Sequence, residues 1–230
     1  MKLAALVLLV AVGIAFNELG SEALTPHQVI QALMGGASPY WNVVFALDSS
    51  DSISSSEWSC SKSSTRNILA IINNTPTPNS IAPGKHRIAL VRFSTRARLI
   101  FPLGYHENYP ANDAAIDDVP KEGGLTNIYH ALWHCNIQLG YISGNRLVWI
   151  MTDGYYTYGD DPRPLATLMK KKGIIICIVA IGDNVDWSVI NAMASWVYIP
   201  NIGRTVQCVM RYQTCTAYLL ASYPLLIRVP

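Results

Sequence analysis

Val43-Val44-Phe45-Ala46-Leu47-Asp48-Ser49-Ser50-Asp51-Ser52 is the stretch from which the fold is read. Its first half is an unbroken apolar run, the pattern of a strand covered on both faces in a parallel sheet. Its second half places one carboxylate and two hydroxyls at alternate positions, Asp48, Ser50 and Ser52, where the chain leaves that strand. Ligands of open α/β sheets bind outside the carboxyl ends of the strands, so this exit predicts a site for a hard cation that prefers oxygen donors.

Outward from it, apolar strands at about 41–48, 87–94, 97–102, 146–152, 174–181 and 196–199 take turns with longer amphipathic stretches. The latter predict helices at about 54–74, 126–140, 162–172, 187–195 and 205–222. Such alternation argues for an α/β fold layered around a mostly parallel sheet. Only a few residues separate 87–94 from 97–102, so these two strands must pair as a hairpin and one edge strand is antiparallel. Asp161 and Pro162 are suited to open a helix, and Gly173 to end it after the basic turn Lys170-Lys171-Lys172.

With 230 residues, 50% of them hydrophobic and 14% charged, the chain has the size of one domain with short appendages. The formal charge of +2 is spread out and excludes the basic footprint of a nucleic-acid binder. Lys2 precedes an apolar run from Leu3 to Phe16, the layout of a secretory signal peptide over 1–23 with cleavage after Ala15 or Ala23. No later stretch reaches the ~20 apolar residues of a membrane helix, so the expectation is a soluble, secreted, extracellular protein. Residues 24–40 are read as an N-terminal segment, 41–222 as the domain and 223–230 as a tail.

Five cysteines leave at least one unpaired within a monomer. Cys177, inside the apolar run 174–181, is expected as a buried free thiol. Cys208 and Cys215 fall in the expected last helix, where two turns hold them ~10 Å apart and unable to bridge each other. Asn73-Asn74-Thr75 is a glycosylation sequon weakened by Pro76 directly after it. His130 and His134 share one helix face at a spacing that suits zinc, but with no evident third ligand the expected role is a polar outer face.

Three separated segments carry the chemistry: Asp48-x-Ser50-x-Ser52, Gly123-Gly124-Leu125-Thr126-Asn127, and Val148-Trp149-Ile150-Met151-Thr152-Asp153-Gly154. Together they offer Asp48, Asp153, Ser50, Ser52 and Thr126, an oxygen set for Mg²⁺, Mn²⁺ or Ca²⁺ with no soft ligand for zinc or copper. An ion held mainly by neutral hydroxyls and water stays a strong Lewis acid toward an incoming anion, such as an acidic side chain. The plain alternative is that Ser50 and Ser52 cap the next helix and Asp153 makes a turn.

These segments resemble the metal-ion-dependent adhesion site of von Willebrand factor type A domains, also called integrin I-like domains. The resemblance covers about 41–222, with Arg87 through Ser94 similar to the family's second strand and Gly173 through Gly182 to its fifth. It implies a doubly wound three-layer sandwich whose six strands run in the order 3-2-1-4-5-6, strand 3 antiparallel. It also implies that Asp48, Ser50, Ser52, Thr126 and Asp153 hold the ion directly or through water. The implied function is non-enzymatic adhesion to an acidic group of a matrix, collagen-like or cell-surface protein. Tyr155, Tyr156 and Tyr158 after Asp153 are candidate partner contacts. Asp51 either tunes the cation or favours the positive start of the helix. In this fold the first and last helices lie side by side, which suggests a Cys60–Cys208 disulfide and leaves Cys135 or Cys215 to link to another chain. A structural building block of matrix, shell or thread, relying on self-association and disulfides, is the alternative function. A metal-assisted hydrolase is disfavoured, because the three loops contain no histidine or glutamate to act as general base.

Overall fold

The computed structural model describes residues 24–36, 40–183 and 185–223. The expected signal peptide and nearly all of the C-terminal tail lie outside the described residues. In chain order the elements are α1 (Pro26–Met34), β1 (Trp41–Asp48), α2 (Ser55–Asn73), β2 (Arg87–Phe93), β3 (Ala97–Phe101), α3 (Tyr109–Asp117), α4 (Ile128–Leu139) and β4 (Asn145–Thr152). There follow α5 (Pro162–Lys171), β5 (Ile175–Ile181), α6 (Trp187–Met193), β6 (Trp196–Ile199), β7 (Arg204–Gln207), β8 (Val209–Tyr212) and α7 (Cys215–Ser222).

Every residue of β1 is buried, because the strand lies at the centre of a six-stranded sheet with helices on both faces. The order is β3-β2-β1-β4-β5-β8, and all neighbours run parallel except β3, which turns back along β2. Alternate side chains of β1 feed two cores. Val43, Phe45 and Leu47 join Trp149, Ile68, Leu69 and Tyr218 on one face, and Val44 and Ala46 join Ile150, Ala131, Leu132 and Met169 on the other. Fully burying each such side chain contributes ~1.5–3 kcal/mol, so this sheet rather than any loop fixes where the strand ends sit. Across the first core, the buried Trp149 indole donates to the Tyr218 hydroxyl at 3.2 Å and ties β4 to α7.

The sheet has the expected layout, but its sixth position is filled by β8 and not by the segment 196–199. That segment forms β6, which pairs with β7 in a separate two-stranded sheet. The expected single helix over 205–222 is therefore corrected to two strands and the short α7. Val206, Val209 and Met210 lie in the strands, and β8 gains the backbone hydrogen bonds that the edge of β5 would otherwise lack. Two helices were not anticipated. Helix α1 begins at a Thr25–Gln28 capping box with Pro26 in its first turn, and α3 begins at an Asn108 cap.

The cysteines are paired differently from the expectation. Cys60 bridges Cys215 with Cα atoms 6.0 Å apart, joining α2 to α7, and Cys177 bridges Cys208 with Cα atoms 4.7 Å apart. Cys208 precedes β8 at the edge of β5, so it faces Cys177, which is not a free thiol, and Cys60–Cys208 does not form. Cys135 is free but fully buried, and burial pushes its thiol pKa far up, so neither it nor Cys215 is placed to link chains. Asn73 of the sequon is also buried, its Oδ1 accepting from the Ile81 amide at 3.2 Å.

Candidate metal centre

Asp48 ends β1 with 3% of its surface exposed. Its Oδ1 accepts from the Ser50 amide at 3.0 Å and its Oδ2 from the Thr152 hydroxyl at 2.7 Å, so the carboxylate is oriented from both sides. The Ser50 and Ser52 hydroxyls lie 2.9 Å apart. Neither caps the following helix, because Ser54 does so, its hydroxyl accepting from the Glu57 amide while Glu57 reaches back to the Ser54 amide. Their hydroxyls are thus left for another task.

Backbone hydrogen bonds bring the second segment onto the first. The Gly123 amide donates to Ser49 O at 2.8 Å, the Asp51 amide to Gly124 O at 2.8 Å, and the Lys121 ammonium to Ser50 O at 3.0 Å. Gly124 has φ +97°, and a Cβ there would stand 2.5 Å from the Thr95 Oγ1, so the approach requires glycine. Asp51 leans over Gly123, where a Cβ would meet its Oδ1 at 2.6 Å, and it belongs to the turn before the helix, not to the helix start. Thr126, 3% exposed, is fixed from the third segment: its amide donates to the Thr157 hydroxyl at 3.0 Å, and its carbonyl accepts from the amides of Thr157 and Tyr158 at 3.0 and 3.2 Å. The structure thus gathers Asp48, Ser50, Ser52, Thr126 and Asp153 on three mutually bonded loops at the carboxyl ends of β1 and β4.

Sequence reasoning missed the residues that orient those candidate ligands. Thr152 Oγ1 donates to Asp48 and accepts from the Gly154 amide at 3.0 Å. Buried Asn127 caps α4 by accepting from the His130 amide at 2.9 Å and donates to Thr95 O at 3.2 Å. Arg92, buried in β2, pairs with Glu122 and donates to Pro120 O at 3.0 Å, pinning the approach to Gly123. Arg92 alone carried a usable signal, a cation inside an apolar strand that requires a carboxylate partner.

The electrostatics of the site suit a cation. Burial, then the charge of Asp153, and against them hydrogen bonds from Ser50 and Thr152, leave the Asp48 pKa raised to about 6. Asp153 Oδ1 is buried without a hydrogen-bond partner, an arrangement that native structures avoid unless something else satisfies the atom. Two converging carboxylates, one orphaned oxygen and neighbouring hydroxyls fit a divalent cation held by oxygen. When bound, such an ion supplies Lewis acidity toward an anionic ligand. A cleft of about 250 Å³ beside Asp48, Ser52 and Asp153 extends to Cys215 at the start of α7.

The tyrosines divide. Tyr155 and Tyr158 are 57% and 51% exposed on the loop after Asp153, whereas Tyr156 leans on the second core. The histidine pair is not a metal chelate of the usual kind: His130 Nδ1 accepts from the Ala97 amide at 3.1 Å, so a neutral ring carries its proton on Nε2 and has no lone pair to give.

The family model of the von Willebrand factor type A domain matches residues 42–197, and the chain belongs to that family. Among solved structures it is similar to proximal thread matrix protein 1 from the mussel byssus, at 20% identity and TM-score 0.68, over 80% of this chain and 44% of that one. A second structure of that protein, with a zinc-occupied MIDAS motif, matches at 20% identity and TM-score 0.67 over 82% and 47%. The chain spans less than half the length of these neighbours, and the likeness concerns the fold.

Proposed function

We propose that this protein is a secreted, non-enzymatic adhesion module that holds Mg²⁺, Mn²⁺ or Ca²⁺ through Asp48, Ser50, Ser52, Thr126 and Asp153 and engages a carboxylate of an extracellular matrix protein. The observation that carries the reading is the buried, unpartnered Asp153 Oδ1 facing the same crevice as the destabilised carboxylate of Asp48. With the three neutral hydroxyls bound directly and the two aspartates acting through water, the ion keeps its Lewis acidity toward an anionic guest. Tyr155 and Tyr158 beside the site supply aromatic contact area, and the glutamates nearest the loops, Glu57 and Glu122, are engaged with the Ser54 amide and with Arg92. Binding without turnover suits that arrangement.

Secretion is supported by the N-terminal apolar run and by two disulfides, and no described helix is long and apolar enough to cross a membrane. The fold neighbours are two structures of one thread matrix protein, one of them with zinc in its MIDAS motif, which makes a matrix setting the favoured context. A pull-down from solubilised extracellular matrix in Mg²⁺ and in chelator tests the reading. Capture that needs the ion and is lost in Asp153→Ala is expected; capture that is unchanged by chelator contradicts it.

A further inference from the structure

The two ends of the sheet differ in charge. Parallel β1, β2, β4, β5 and β8 point their carboxyl ends to the metal loops, and exposed or half-buried Asp51, Asp153, Asp160, Asp183 and Asp186 follow those strands. At the opposite end lie Lys85 and Arg87 at the start of β2, Arg146 at the start of β4, and Lys170, Lys171 and Lys172 where α5 ends. Arg146 donates to Lys172 O, and Arg87 donates to Asn42 Oδ1, whose Nδ2 donates to Asn145 O, so these basic groups line one end of the sheet from β2 to β5. Glu107 is an exposed carboxylate on the loop that returns to this end, whereas the next one along the chain, Asp113, is held by Arg66.

Glu107 is exposed on the loop between β3 and α3. Because β3 is antiparallel, its end returns to the amino end of β2, where the Gly104 amide donates to Ile88 O at 3.3 Å and Gly104 lies against the Arg87 side chain. The loop is held in shape by Asn112, fully buried, whose Nδ2 donates to His106 O at 2.9 Å and Asn108 O at 2.8 Å on either side of Glu107. The His106 ring packs edge-on against Phe101 and Tyr105. A carboxylate is thereby presented on a shaped loop, three residues beyond the Gly104–Arg87 contact, at the opposite end of the sheet from the proposed cation site.

We propose that Glu107 of one copy completes the cation shell of a second copy, so that the chains assemble head to tail. The proposal rests on the metal-dependent reading of the site and deepens it by naming the guest as a second copy of this chain. Arg87 and the other basic groups at that end of the sheet then meet the aspartates around the cation, and complementary charge of this kind sets orientation and speeds encounter. Such a contact joins two different surfaces, so unless the rotation closes a ring it continues into open filaments.

Sedimentation of the purified, disulfide-intact protein over a range of concentrations, in Mg²⁺ and in chelator, tests this. Mass that rises with concentration in Mg²⁺, and falls to monomer in chelator or in Glu107→Gln, is expected. Mixing Glu107→Gln, which keeps the site, with Asp153→Ala, which keeps the carboxylate, is expected to give dimers and nothing longer. A monomer at all concentrations in Mg²⁺, assembly undiminished in Glu107→Gln, or association that requires an added acidic polysaccharide would overturn it. Calorimetric cation uptake by Glu107→Gln separates the two ideas: normal uptake without wild-type assembly defeats only the head-to-tail contact, whereas absent uptake in both defeats the metal site itself.

Discussion

Asp48 is stabilised by two hydrogen bonds and penalised by burial and by Asp153, and the penalty prevails. A carboxyl group whose pKa rises from 3.8 to about 6 on folding stabilises the metal-free protein below the unfolded value and loses that contribution as pH rises through the folded one. Thermal melts in chelator are therefore expected to show stability falling between about pH 4 and pH 6, and added Mg²⁺ or Mn²⁺ to restore it increasingly toward neutral pH. Gly124→Ala is expected to cost about 1–3 kcal/mol through its left-handed backbone and the Thr95 contact, and to weaken cation uptake, measured by denaturant melts and calorimetry. At this scale the candidate ligands were legible because two aspartates and two serines at strand exits and a threonine at a helix start declare their chemistry by residue type. Thr152, Thr157 and Asn127 were not, since a hydroxyl or amide that orients a ligand looks in sequence like any polar residue at a strand or helix end.

The helices and strands built from long apolar or amphipathic runs were readable, and α5 matches its Asp161 cap, Pro162 start and Gly173 stop. The C-terminal region was misread because 205–222 has apolar residues at spacings that satisfy both periods over short windows. Only tertiary context, the open edge of β5 and the Cys177–Cys208 bridge, selects strands for 204–212. That error propagated to the disulfides, since cysteines assigned to one helix face cannot be paired correctly when the first lies in a strand connection. The Cys60–Cys215 bridge closes a sequence separation of 155 residues. The double variant Cys60→Ser/Cys215→Ser is expected to lose about 3–5 kcal/mol of stability by chain-entropy reasoning, with cation affinity retained because no metal ligand lies on α7. Equilibrium denaturation paired with cation titration checks both halves.

For the molecule as a whole, sheet order positions the candidate site more than surface composition does. Placing β1 beside both β2 and β4 brings three segments distant in sequence to one end, where each contributes oxygens that it could not use alone. This topology was foreseeable from the alternation of strands and helices and from the hairpin of β2 with β3. The charge difference between the two ends was not, because a net charge of +2 conceals it until the strands are laid parallel. The most direct test of the account is calorimetric titration of the disulfide-intact protein with Mn²⁺ and Mg²⁺, beside Asp153→Ala. Saturable uptake of a single ion per chain, absent in a variant that melts no lower than wild type in chelator, is predicted. No uptake by the wild type, or equal uptake by Asp153→Ala, would contradict it.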